Sequence, residues 1–287
     1  MDEKALSPVN LYRLGIDAGS TTVKAAVLDR NDTLICSCYR RHYSDLFGTL
    51  AAVLNELSET FGNCAVSAAV TGSGGLAAAA EPDLPFVHEV IAGCRAVRRF
   101  LPDVKSVLEL GGEDAKLTFF DNGLDQRMNG ICAGGTGVFI DQMALLLKTD
   151  PIGLDKLAAG YTTLYPIAAR CGVFAKTDLQ ALLNEGARRE DVAASIFQAV
   201  VNQTITGLAG GRKIKGRCAF LGGPLYFLPQ LRRRFKETLR LDDDDILLPA
   251  NAQIYVAVGA ALSAGICGGG KTVTFRRLLE ITKEAAG

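Results

Sequence analysis

The chain has 287 residues, 48% of them apolar, enough to bury the core of one large α/β domain or of two smaller lobes. Lysine plus arginine equals aspartate plus glutamate at 31 each, and the basic residues are dispersed, which argues against a nucleic-acid partner. Eight cysteines in a chain of this size read as reduced cytoplasmic thiols or metal ligands rather than as a disulfide framework, and no apolar run is long enough for a membrane span.

In chain order, "RLGIDAGSTTVKAAVLDRNDTLICSCYRRHYS" predicts a three-strand meander with a glycine turn at Asp17 to Ser20 and a polar turn at Asp29 to Asp32. "SDLFGTLAAVLNELSETFG" spaces Leu46, Leu50, Val53, Leu54 and Leu57 as one helical face, with Ser44 as N-cap and Gly62 at the end. The strand "CAVSAAVTG" follows, then the helix "HEVIAGCRAVRRFLPD", and a first lobe closes near residue 102. "VKSVLELGGEDAKLTFFDNGLDQRMNG" then repeats strand, glycine turn, strand, polar turn and strand. Helices are predicted at 137–148, about 177–186, about 191–210, 229–240 and 252–266, with strands at "RCAFLGG" and "DILLPA". The plan is a duplicated α/β one: lobe I over 1–102 with the 252–287 stretch packing back on it, and lobe II over 103–251.

Three glycine turns carry candidate chemistry. "GIDAGSTTVK" sets Asp17, Gly19, Ser20, Thr21, Thr22 and Lys24 between two strands, so that backbone N–H groups and hydroxyls can meet a phosphate while Asp17 manages Mg²⁺. Alone, this reads more simply as an ordinary hairpin turn. "ELGGEDAK" repeats the layout with Glu109, Gly111, Gly112, Glu113 and Asp114, and two such turns together favour a polyphosphate with its metal. "FLGGPLYF" places Gly222, Gly223 and Pro224 after a strand, where they could pack flat on a nucleoside. The stretch "LDDDD" at 241–245 reads as a solvated turn, "RRR" at 232–234 as the wet face of a helix, and His42 and His88 have no spacing that suggests catalysis.

These turns resemble the phosphate-1, phosphate-2 and adenosine elements of the actin, Hsp70 and sugar-kinase fold, and "NGICAGGTGVFIDQMA" with "RCGVFAKTDLQALLNEG" resembles the BadF/BadG/BcrA/BcrD family. That family contains ATP-dependent activators of 2-hydroxyacyl-CoA dehydratases and benzoyl-CoA reductases. The similarity runs from about Leu14 to Ala264. "YRRHYSD" and "FLGGPLYFLPQLRRRF" look closer to the N-terminal domain of long, multi-domain activase-like proteins, which would make the chain a piece of a longer polypeptide. The resemblance implies two RNase H-like lobes with ATP or ADP and Mg²⁺ between them, and an ATP-driven one-electron reductase. It implies a [4Fe-4S] cluster held by Cys132 and Cys171 and completed by the same pair from a second copy in a homodimer. It also implies ferredoxin or flavodoxin as donor and an iron–sulfur dehydratase or reductase as acceptor.

By the same resemblance, Asp17 and Glu109 would manage Mg²⁺, Glu113 or Asp114 would orient the attacking water, and Gly134, Gly135 and Thr136 would join the other turns in cradling phosphates. Both cysteines precede helices whose N-terminal N–H groups could face an anionic cluster. From the residues alone, two buried core thiols are the simpler account of Cys132 and Cys171, and Cys36, Cys38, Cys64, Cys94, Cys218 and Cys267 keep that account. The chain departs from the family pattern at Glu109, usually aspartate, and at Glu113, glutamine in the short activators. It also lacks the histidine that follows the Glu-Val pair at 89–90 elsewhere and the asparagine after the adenosine-motif glycines. A small-molecule kinase on the same fold, with no use for the two cysteines, and a nucleotide-gated scaffold are the alternatives.

Overall fold

The computed structural model describes residues 12–79, 84–121, 123–129, 134–168, 172–267 and 272–286. They divide into two compact units, one from 1–102 with 254–287 and one from 103–253.

The first unit opens with β1 (Tyr12–Ala18), β2 (Thr22–Leu28) and β3 (Leu34–Arg41), an antiparallel meander. β1 and β2 are buried almost throughout, whereas β3 alternates in exposure as an edge strand does. α1 (Leu46–Phe61) buries Leu50, Val53, Leu54 and Leu57 on that sheet. Its N-cap is Asp45, which accepts from the Gly48 N–H, and not the expected Ser44: Tyr43 and Ser44 both take positive φ, so the chain turns one residue later. β4 (Ala65–Thr71) runs parallel to β1, followed by α2 (Gly75–Ala78) and α3 (Glu89–Phe100).

The second unit repeats the scheme with β5 (Ser106–Leu110), β6 (Ala115–Phe119) and β7 (Asp125–Met128) antiparallel. Next come α4 (Gly137–Leu146), α5 (Pro151–Ala158), α6 (Gly172–Asn184) and α7 (Arg189–Leu208). β8 (Cys218–Leu221) then lies parallel to β5, followed by α8 (Gly223–Phe227), α9 (Pro229–Leu239) and β9 (Ile246–Leu247), which is parallel to β8. α5 was not expected from sequence, although Asp150 caps it and Pro151 opens it, and α6 begins at Gly172 rather than near Thr177. The arginine run is not a wet face either. Arg234 is buried and donates to Gln198, to the Tyr161 hydroxyl and to Glu237; Arg232 donates to the Leu225 and Tyr226 carbonyls; Arg233 is the exposed one of the three. The aspartate run forms a 3-10 turn at Asp243–Asp245 with no buried residue.

The chain returns to the first unit as α10 (Tyr255–Cys267), β10 (Val273–Thr274), which pairs with β4, and α11 (Phe275–Ala286), the last a helix beyond the expected final one. The described strands order as β10-β4-β1-β2-β3 and β7-β6-β5-β8-β9. Each unit has its own core, built in the first around Leu14, Ile16, Leu54 and Phe275 and in the second around Leu108, Leu117, Phe197, Phe220 and Phe235. Among the described residues no helix is long and apolar enough to cross a membrane.

Candidate functional site

In each unit the acidic hairpin sits at the carboxyl end of the parallel strand pair, where strand ends leave backbone groups open to a ligand. In the first unit, register sets Asp17 opposite Lys24, and Lys24 Nζ lies 2.7 Å from Asp17 Oδ2. The Gly19 N–H donates to the Thr22 carbonyl at 2.9 Å, which closes the turn. Thr22 is buried, while Gly19, Ser20 and Thr21 are half-exposed at the tip.

The parallel pairing also sets Thr71 opposite Asp17, so both side chains project from one sheet face beside Lys24. Gly72 follows at φ +96°, packed so that any Cβ would overlap the Ala18 carbonyl and lie 2.7 Å from Asp17 Oδ1. Only glycine fits there. The Gly74 N–H donates to the Ala18 carbonyl at 2.8 Å, and the buried Thr71 hydroxyl has no hydrogen-bond partner among the described residues.

The second hairpin copies the first. Glu109 stands opposite Lys116, with Nζ 3.5 Å from Oε1, and the Gly111 N–H donates to the Asp114 carbonyl at 2.7 Å. Glu113 is exposed and Asp114 half-exposed at its tip. Here α4 docks on the turn: the Gly137 N–H donates to the Gly111 carbonyl at 3.0 Å and the Val138 N–H to the Gly112 carbonyl at 2.8 Å. This corrects one expectation, because the first N–H groups of α4 are consumed by the turn instead of facing an anion. Gly134, Gly135 and Thr136 are buried, with Gly135 at φ +81° against Gln203 and Thr204 of α7.

The third glycine turn adjoins the second. Gly222, at φ +89°, approaches so closely that a Cβ would overlap the Leu110 carbonyl, and its N–H donates to the Ala252 carbonyl at 3.0 Å; Gly223 and Pro224 then open α8. Glu109, Gly111, Gly112, Gly134, Gly135, Thr136 and Gly222 to Pro224 therefore collect at one end of the second sheet, and Asp17, Gly19 to Thr22 and Lys24 at one end of the first.

Cys132 and Cys171 lie outside the described residues. Their flanks are described. Asp191 accepts from the Thr162 and Thr163 N–H groups at 2.6 and 3.0 Å, bonds that hold its carboxyl below the usual range. Ser195 accepts from the Tyr165 N–H and Asp178 from the Ala168 N–H, so the stretch before Cys171 is pinned to α7 and α6. Cys218 is buried in β8, where burial pushes its thiol up to about 11.

Sequence reasoning missed four residues. Thr71 had no motif, and Lys116 was read only as the end of one. His42 and Asn129 each follow the third strand of a meander and bond back to its glycine turn, over 23 and 16 residues of sequence that no motif spans.

Two antiparallel meanders, each extended by a strand parallel to its first and each carrying an acidic glycine hairpin at the parallel strand ends, define the actin, Hsp70 and sugar-kinase fold. The family model of the BadF/BadG/BcrA/BcrD ATPase family matches residues 14–264, and the chain belongs to that family. It is 27% identical to the 2-hydroxyisocaproyl-CoA dehydratase activator of Clostridioides difficile, over 88% of this chain and 95% of that one. It is 28% identical to the (R)-2-hydroxyglutaryl-CoA dehydratase activating ATPase of Acidaminococcus fermentans, over 89% and 98%. The solved structure of the Clostridium difficile activator with bound ADPNP superposes with a TM-score of 0.77 at 26% identity, covering 95% of this chain and 97% of that one.

Proposed function

We propose that this chain hydrolyses ATP to drive one electron at low potential into a partner enzyme of the 2-hydroxyacyl-CoA dehydratase type. The observation that carries the ATPase half is the duplicated hairpin, a carboxylate and a lysine on facing strands beside a half-exposed glycine turn. The activating half rests on kinship with two proteins named as dehydratase activators.

In this reading Gly19, Ser20, Thr21, Thr22 and Lys24 bind phosphate, Gly111, Gly112 and Gly134 to Thr136 serve the second turn, and Gly222 to Pro224 face the nucleoside. Asp17 and Glu109 are the carboxylates that would hold Mg²⁺. Bound Mg²⁺ would neutralise phosphate charge. Glu113 or Asp114 orients the attacking water.

Among the described residues no group of three or more His, Cys, Asp or Glu could hold a metal. Cys132 and Cys171, with the same pair from a second copy, are our ligands for a [4Fe-4S] group, which would supply a one-electron store. Ferredoxin or flavodoxin is the donor we expect, and the protein acts as a homodimer.

Anaerobic purification tests this. A brown dimer with about four irons, colourless as Cys132→Ser or Cys171→Ser, supports the electron-transfer role. An iron-free monomer prepared under strict anaerobiosis refutes it. Separately, Asp17→Ala should abolish ATP hydrolysis and leave the colour intact.

A further inference from the structure

His42 directly follows β3 and Asn129 directly follows β7. Each reaches back to the glycine turn between the first two strands of its own sheet. The Asn129 amide donates to the Glu113 carbonyl at 3.1 Å and accepts from the Ala115 N–H at 2.8 Å, while its backbone N–H donates to the Ala115 carbonyl. On the first turn, the His42 backbone N–H donates to the Thr21 carbonyl at 3.2 Å, and ring Nε2 lies 3.2 Å from the Gly19 carbonyl oxygen.

The ring's tautomer follows from its other bond. The Ser44 N–H donates to Nδ1 at 3.1 Å, so Nδ1 is an acceptor, and Nε2 carries the proton and donates to Gly19. The backbone that aims the ring is strained: Tyr43 and Ser44 are consecutive non-glycine residues at φ +46° and +70°. The Asp45 N–H, donating to the His42 carbonyl at 2.7 Å, helps to hold them there.

Fixing the Gly19 carbonyl fixes more than one atom. A trans peptide unit is planar, with its C=O and N–H pointing to opposite sides. Tying the Gly19 oxygen to His42 therefore turns the Ser20 N–H to the other face of the turn. The Asn129 bond to the Glu113 carbonyl orients the Asp114 N–H by the same rule, at a position that the shared register matches to Thr22 rather than to Ser20.

The geometry points to His42 as a positioning residue that presets the Ser20 N–H as a donor to a nucleotide phosphate. This rests on the reading of the Gly19 turn as a phosphate site. His42 touches neither nucleotide nor reacting atoms in this role and acts through the peptide plane.

Two substitutions separate the ring's two bonds. His42→Asn keeps an acceptor near the Nδ1 position, and so the Ser44 bond, but loses the donor to Gly19. His42→Gln keeps a donor near the Nε2 position. Each full-length variant is measured for ATPase kcat and KM, for affinity toward a non-hydrolysable ATP analogue and toward adenosine, and for melting temperature. His42→Asn should weaken analogue binding and raise KM by roughly five-fold, as loss of one well-oriented donor does, with kcat and adenosine affinity near wild type. His42→Gln should restore the analogue affinity.

Impairment of the Gln variant alone, equal loss of adenosine and analogue, or wild-type behaviour in both variants would overturn the assignment. If the wild-type chain binds no adenine nucleotide, the phosphate reading itself fails and the assignment with it, an outcome told apart because no variant is involved.

Discussion

The two acidic hairpins share register, turn closure and the seven-residue spacing of carboxylate and lysine, yet they bury opposite ends of the ion pair. In the first, the Asp17 side chain is 4% exposed and Lys24 16%; in the second, Lys116 is 8% exposed and Glu109 17%. The first hairpin therefore sinks its anion and lifts its cation, and the second does the reverse. A repeated backbone thus sets the two charges of its ion pair at opposite depths in its two copies. The packing behind them differs as well. Gly15, two residues before Asp17, lets α10 lie directly on β1, whereas the equivalent residue before Glu109 is Val107.

The largest expected effect tests that packing difference. A Cβ on Gly15 would overlap the Ala257 carbonyl oxygen and crowd the Ala261 nitrogen, both helix backbone, which cannot swing aside as a flexible side chain would. Gly15→Ala should cost about 3 kcal/mol in chemical denaturation, and Gly15→Val, which copies the second sheet, should cost more. Wild-type stability in Gly15→Ala would mean that α10 shifts freely and that the two sheets are packed less differently than they look.

A crossed pattern is expected from the ion pairs. Lys24→Met leaves the more buried Asp17 carboxylate behind and should lose about 2 kcal/mol, against under about 1 kcal/mol for Asp17→Asn, whose remaining lysine reaches solvent. In the second hairpin the order should reverse: Glu109→Gln leaves the buried Lys116 ammonium without that carboxylate and should cost more than Lys116→Met. Equilibrium unfolding of the four variants at neutral pH decides the matter. The same order in both hairpins would remove the inversion and leave two equivalent pairs.

The strand–turn–strand repeat was legible because a period-2 apolar pattern broken by glycine is a local signal, and so was the α1 face of Leu50, Val53, Leu54 and Leu57. The paired carboxylates were legible because they lie beside those glycines. His42 was not, since its partner Gly19 is 23 residues away and only the β3 register and the turn at Tyr43 and Ser44 bring them together. Buried Arg234 was missed because its side-chain partners Gln198 and Tyr161 come from 36 and 73 residues away, so a charge run read as wet. The first N–H groups of α4 read as open because a helix start shows in sequence, whereas the carbonyls of Gly111 and Gly112 that fill them do not.

The smallest expected effect concerns the braces. Asn129→Asp keeps the acceptor for the Ala115 N–H but loses the donor to the Glu113 carbonyl and sets a carboxylate beside that oxygen, so about 1 kcal/mol of stability should go. Its effect on nucleotide is the sharper measurement. If the Asp114 N–H is preset as the Ser20 N–H is, Asn129→Asp should raise the ATP KM by a few-fold, in parallel with His42→Asn, and the two changes should be independent in the double variant. A raised KM in His42→Asn with none in Asn129→Asp would mean that only the first turn grips phosphate through its backbone. The second would then act through its side chains rather than through the peptide that Asn129 orients.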